Sequence, residues 1–186
     1  MATAPPLVDP RDLQATAYHE AGHCVLAFTC GHQIASATIA RSTEHAGRVF
    51  HRDTGRRGHL DHVDPRVRRI MVAVAGAAAE QRAGYEGSFF GSMGDREAIK
   101  APLAELADER GVSRDKIWSQ VQREVRDALS DPAVWRAVEA VASALIEHGT
   151  LVQDEIVQLI RRSGEPPGPA ARSGAGAPHP SRPLFP

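Results

Sequence analysis

The 186 residues carry 22 lysines plus arginines against 23 aspartates plus glutamates, a formal net charge of −1 with histidine neutral. The two signs are interspersed, so no long-range field gathers nucleic acid or acidic lipid, and neither a nucleic-acid partner nor direct membrane insertion is expected. A hydrophobic share of 42% and a charged share of 24% are those of a globular chain long enough to bury one real core.

In chain order, residues 1–8 read as a flexible N-terminal segment. Asp9-Pro10 is a helix start, an N-cap residue followed by proline at the first helical position. Leu13, Ala17, Val25 and Phe28 carry a helical rhythm to Cys30, and Gly31 fits the position just past the helix. Residues 34–40 and 48–51, with a turn around 44–47, predict a β-hairpin, and the polar, glycine-containing stretch 55–62 a loop. Asp64-Pro65 repeats the start signal for a second helix ending near Ala83, before Gly84. Its small residues Ala73, Gly76, Ala77 and Ala79 suit close packing against another backbone. Residues 86–94 form a glycine-rich loop, and a third helix starts near Ser92 or Asp95 and runs to Arg110, with Pro102 expected to kink or divide it. Ser113 caps a fourth helix. Asp131-Pro132 opens a fifth with a buried stripe of Val134, Val138, Val141 and Leu145. Thr150 and Gln153 are expected to form a capping box for a sixth helix ending near Arg162. From residue 164 to 186 the chain is rich in Pro, Gly and Ala without periodicity, and disorder is expected there.

Residues 1–10 carry Pro5, Pro6 and Asp9 and lack the apolar core of a secretory signal. The low-polarity run 70–79 is about half as long as a membrane span requires. Cys24 and Cys30 have neither zinc-ribbon nor redox spacing, and read as small buried hydrophobes in a reducing compartment. A cytoplasmic location is the expectation.

The chemistry sits at His19-Glu20-Ala21-Gly22-His23. Residues four apart on a helix leave the same face, so both imidazoles can converge on one metal ion. Zinc accepts neutral imidazole nitrogen and, in a catalytic site, needs a further protein ligand and a water. A glutamate directly after the first histidine is placed to act on that water as a general base. The plain alternative is two histidines on an amphipathic helix. Gly22 costs about 1 kcal/mol relative to alanine in mid-helix, which a close approach by another element or by a substrate would explain. His45, His51, His59 and His62 fall on expected hairpin and loop positions and are read as solvated.

The segment Ala15-Thr16-Ala17-Tyr18-His19-Glu20-Ala21-Gly22-His23 resembles the active-site helix of the FtsH family, the membrane-anchored AAA zinc proteases. Residues 34–49 are similar to the hairpin that follows it there, Val74-Ala75-Gly76-Ala77-Ala78-Ala79-Glu80 to its Gly-x-x-Ala-Glu helix, and Gly91-Ser92-Met93-Gly94-Asp95 to its aspartate loop. Residues 138–160 resemble its closing helix pair, joined at Gly149-Thr150-Leu151. The likeness implies a single zincin-like, FtsH-type peptidase domain over residues 9–163, mainly α with a small β-hairpin and about six helices. It implies Zn2+ held by His19, His23 and Asp95, with Glu20 catalytic and Glu80 orienting the site or serving as an alternative ligand. Asp95 has a local alternative, a capping box with Ser92; Glu80 could equally be a surface carboxylate. The implied activity is hydrolysis of unfolded proteins or peptides.

The chain contains no Gly-x-x-x-x-Gly-Lys-Ser/Thr phosphate loop and no run like the family's transmembrane segments. It carries Ala77 where the family has arginine, and Ala40-Arg41-Ser42 where the family has Pro-Arg-Gly. These departures bear on ring assembly and threading more than on zinc binding. A separate AAA ATPase as partner and a homo-oligomer are both compatible with them. A non-catalytic zinc-binding interaction module and a metal-free helical scaffold are the alternatives to a peptidase.

Overall fold

The computed structural model describes residues 9–40, 47–53, 60, 62–86 and 93–164. The expectations of a flexible segment at 1–8 and a disordered tail after 164, and those for His45, His59 and Ser92, fall outside the described residues. Six helices and three short strands follow one another as α1 (Pro10–Thr29), β1 (Gln33–Thr38), β2 (Arg48–Arg52), α2 (Pro65–Arg82), α3 (Met93–Arg110), α4 (Arg114–Ser130), α5 (Pro132–His148), β3 (Thr150–Val152) and α6 (Gln153–Arg162). The fold is mainly α with a small antiparallel sheet. Among the described residues, no helix is long and apolar enough to cross a membrane.

The helix starts follow the local chemistry of the sequence. Asp9 Oδ1 accepts from the Arg11 N–H at 2.8 Å, and Asp64 Oδ1 from the Arg66 N–H at 2.8 Å. Asp131 Oδ1 accepts from the N–H groups of Ala133 and Val134, and Ser113 Oγ from that of Lys116. Each satisfies a donor that the first helical turn leaves orphaned. At the other ends, Gly31, Gly84, Gly111 and Gly149 take positive φ, the conformation that stops a helix at low cost only for glycine.

Some expectations need correction. Of the kink or division expected at Pro102, division does not occur: α3 runs through it as one helix. Only the N–H that would reach back one turn is lost, and neighbouring packing on the buried Leu106 and Ala107 keeps the helix together. Thr150 does not cap α6, and the sheet has three strands rather than two. Thr150–Val152 pairs with β1 in the register Ser36↔Val152, Ala37↔Leu151 and Thr38↔Thr150. The Thr150 hydroxyl therefore meets the Thr38 hydroxyl at 2.8 Å, and the Glu155 carboxylate closes α6 by accepting from the Val152 N–H at 2.9 Å. Three residues beside a helix start carry no readable strand period, so the pairing is a tertiary outcome.

The core lies where α1 and α2 cross, with α5 on the other side of α1 and with α3 and α4 against α2. The run 70–79 is buried almost throughout, as a helix enclosed by neighbours must be. Its contact with α1 is unusually close at one point: a Cβ on Gly22 would stand 2.5 Å from the Ala75 carbonyl oxygen and 2.7 Å from Ala79 Cβ. Glycine in mid-α1 is thus the condition for backbone-to-backbone packing. The sheet order is β2-β1-β3, leaving β2 at an edge, with a register irregularity between Ile34 and Ser36. Ile34, Ala37 and Leu151 turn inward to the core.

Candidate metal centre

His19 and His23 leave one face of α1, with their Nε2 atoms 3.0 Å apart. The opposite ring nitrogens are held elsewhere. His23 Nδ1 lies 2.7 Å from the Val72 carbonyl oxygen, and His19 Nδ1 lies 3.1 Å from Glu80 Oε2, both acceptors contributed by α2. An acceptor at Nδ1 keeps the proton there and presents the Nε2 lone pair to the other side. Both Nε2 atoms therefore face the same point.

Asp95, in the first turn of α3, brings the third donor: its Oδ2 lies 3.3 Å from His19 Nε2 and its Oδ1 3.5 Å from His23 Nε2. Ligands of a tetrahedral zinc at 2.0–2.1 Å stand about 3.3–3.4 Å apart, and these three separations bracket that value. Two neutral imidazoles and one carboxylate are also a donor set that zinc takes. The residues present fit the ion. Among the described residues His19, His23 and Asp95 are the one group of three that could hold a metal. The Asp95 carboxylate faces the imidazoles, as the ligand alternative requires. Glu80 lies on the far side of the His19 ring, against Nδ1, and does not join the three donors.

Charge is distributed accordingly. Burial opposes protonation of His19, but the carboxylates of Asp95 and Glu80 outweigh it and push the ring up to about 10. Asp95 is held well below the usual carboxylate range by the two imidazoles, against its own burial. With no ion bound, a proton occupies the place that a cation would take. Glu20 is only 5% exposed, and burial raises its pKa against the lowering influence of His23 and His19. It lies under the start of β2: a Cβ on Gly47 would come within 2.7 Å of Glu20 Oε1.

A second glycine bears on how closely these nitrogens can converge. A Cβ on Gly76 would stand 2.5 Å from His23 Nε2 and 2.6 Å from His19 Nε2. Beyond the close packing that its place among small residues suggests, the missing side chain of Gly76 makes room for both imidazole nitrogens. The mid-helix cost that flagged Gly22 applies equally to Gly76 and was the available signal. The Val72 carbonyl and Gly47 left no such signal in the sequence.

Cys24 and Cys30 are free and buried, as expected. Burial raises both thiols, Cys30 up to about 12, so neither is a thiolate at neutral pH. His62 is exposed, in agreement with its solvated reading. His51 is exposed too but not simply solvated. Its Nδ1 lies 3.1 Å from Nδ1 of His32, a buried residue the sequence had not singled out, and the rings stack with centroids 5.2 Å apart. Burial and the neighbouring His32 and His23 bring His51 down to about 4.

No protein-family profile matches the chain, and no curated protein matches it; the chemistry of the centre is carried by its own residues.

Proposed function

We propose that the protein is a zinc-dependent metalloendopeptidase acting on unfolded proteins or peptides. The observation that carries this reading is the convergence of His19 Nε2, His23 Nε2 and the Asp95 carboxylate beside a buried Glu20. These three side chains would hold the ion, with Glu80 and the Val72 carbonyl fixing the two rings. When bound, zinc supplies Lewis acidity toward a water molecule and a peptide carbonyl. Glu20 supplies proton transfer: its carboxylate takes a proton from the attacking water and delivers it to the departing amine nitrogen. Its raised pKa makes it a stronger base than an exposed carboxylate.

An extended substrate is favoured by the edge position of β2, whose first residues adjoin Gly47 and hence Glu20. The resemblance of the α1 and α2 motifs to the FtsH peptidase supports the same reading. These 186 residues hold no phosphate loop, so any ATP-driven unfolding of substrate would be supplied from outside them. Two reduced thiols fit a cytoplasmic setting.

The test is zinc content together with cleavage of unfolded casein by the full chain and by Glu20→Gln. The expected result is one tightly held zinc in both proteins and a loss of at least about 100-fold in cleavage by the variant. Undiminished cleavage by Glu20→Gln would overturn the assigned mechanism. Zinc without cleavage in the unaltered chain would indicate the non-catalytic interaction module, and a chain that takes up no zinc would leave a helical scaffold.

A further inference from the structure

Outside the centre just described, His32 and His51 make a second convergence of imidazole nitrogens. His32 stands directly after Gly31, where α1 turns into β1, and its side chain is only 4% exposed. His51 stands on β2, opposite Ile34 in the β1–β2 register, while Gln33 pairs with Arg52. That register holds the two rings stacked, with Nδ1 atoms 3.1 Å apart. The spacing is nearly that of the Nε2 pair of His19 and His23, at 3.0 Å. Two nitrogen ligands at 2.0–2.1 Å from one ion, meeting between a right angle and the tetrahedral angle, stand about 2.9–3.4 Å apart.

The far nitrogen of His32 has a carboxylate near it. Its Nε2 is buried with no hydrogen bond among the described residues, and Asp53 Oδ2 lies 3.8 Å from it. Arg68 Nη2 stands 4.0 Å from the same oxygen and helps hold the carboxylate there. At that distance the carboxylate acts through its charge and not through a hydrogen bond, favouring a proton at Nε2 and so leaving the Nδ1 lone pair for a cation.

We infer that His32 and His51 form a second, weaker site for a divalent transition-metal ion of the zinc, cobalt or copper class, with Asp53 as positioning residue. Imidazole pairs suit these ions. His51 and Asp53 are exposed, so water completes the coordination and the site exchanges readily with solvent. Without an ion, one Nδ1–H donates to the other Nδ1; binding replaces that shared proton. This inference does not depend on the proposed peptidase activity.

The experiment titrates the metal-stripped full chain with Co2+ alone, following equilibrium dialysis and visible absorption. Two equivalents are expected, a tight one with a strong tetrahedral band and a weaker one with a faint, water-rich spectrum. His51→Ala is expected to lose the second and keep the first. Asp53→Asn weakens the second about tenfold, and Asp95→Asn weakens the first and leaves the second. His51→Gln takes the place of His51→Ala should circular dichroism show the alanine variant unfolded. A chain that binds a single Co2+, a second equivalent that survives loss of His51, or one removed by His62→Ala would each overturn the inference.

Discussion

The two histidine pairs have almost the same nitrogen spacing, 3.0 and 3.1 Å, yet their environments drive protons in opposite directions. His19 faces two carboxylates and is pushed up to about 10 from an ordinary 6.5. His51 faces another histidine across a partly buried contact and is brought down to about 4. The first pair, carried on α1, is gripped by α2 at its far nitrogens, and α3 adds a donor. The second hangs between a helix end and an edge strand, with one distant carboxylate. Nitrogen spacing alone therefore does not distinguish the two pairs; the number of donors, and the rigidity of the elements that carry them, does.

The largest expected effect that tests this contrast is at Gly76. Gly76→Ala puts a methyl group among the ligand nitrogens, and zinc affinity should fall about 10–100-fold, the scale of a disrupted ligand setting. Alanine gains about 1 kcal/mol of helix propensity over glycine, so the fold should survive. Chelator competition with a parallel thermal melt separates the two effects. Unchanged zinc affinity would mean that Gly76 is not what admits the imidazoles.

Next is Gly22→Ala, which opposes a Cβ to the Ala75 carbonyl, a backbone atom that cannot swing aside. Overpacking of this kind destabilises by about 1–3 kcal/mol, and the melting temperature should fall by roughly 2–4 °C for each kcal/mol. Denaturant unfolding measures it. A neutral outcome would show that α1 and α2 separate easily and that the frame around the first pair is not rigid.

A third effect, about tenfold in zinc affinity, is expected for Glu80→Gln. The amide keeps an acceptor for His19 Nδ1 but removes the charge that favours the ligating tautomer. Isothermal titration compares it with Asp53→Asn, which should leave this tight equivalent untouched.

The last effect is in the pH dependence of the metal-free chain. His19 holds its proton in the folded state up to about 10 and in the unfolded state only to 6.5. Its contribution is complete below 6.5 and is lost as pH rises toward 10. For His51 the unfolded chain takes up a proton below 6.5 that the folded chain refuses until about 4. Its contribution is complete above 6.5 and is lost as pH falls toward 4. Stability should thus decline on both sides of 6.5. Asp95→Asn should flatten the alkaline arm and His51→Gln the acid arm, in urea unfolding measured from pH 4 to 10. Two variants that both follow the parent curve would remove the electrostatic contrast between the pairs.

How legible these features were follows from the range of the forces involved. Asp9-Pro10, Asp64-Pro65, Ser113 and Asp131-Pro132 announce helices because a cap acts on N–H groups two or three residues away. The stop at Gly31 is local in the same sense. β3 was hidden because its partner, β1, lies more than a hundred residues earlier, and pairing diverted Thr150 from the cap it resembled. At the centre, His19, Glu20 and His23 were legible from helical spacing. Asp95 and Glu80 came only through a resemblance in motifs, since no spacing rule links residue 19 to residues 80 and 95. Gly76 and the His32–His51 pair were missed because each matters only through what another element brings against it.

By itself, then, the sequence determined that one helical face would carry two imidazoles beside a carboxylate, where the chain would start and stop its helices, and that the fold would be mainly α. Only the tertiary structure decided which ring nitrogens face inward, that Asp95 meets them, that Gly76 leaves them room, and that a second histidine pair forms at the sheet edge. The division has one physical cause. A helical turn fixes the relation between residues four apart, whereas the relation between α1, α2 and α3 is set by packing, where a single missing Cβ at Gly22 or Gly76 determines how closely two backbones, or a backbone and two imidazoles, can approach.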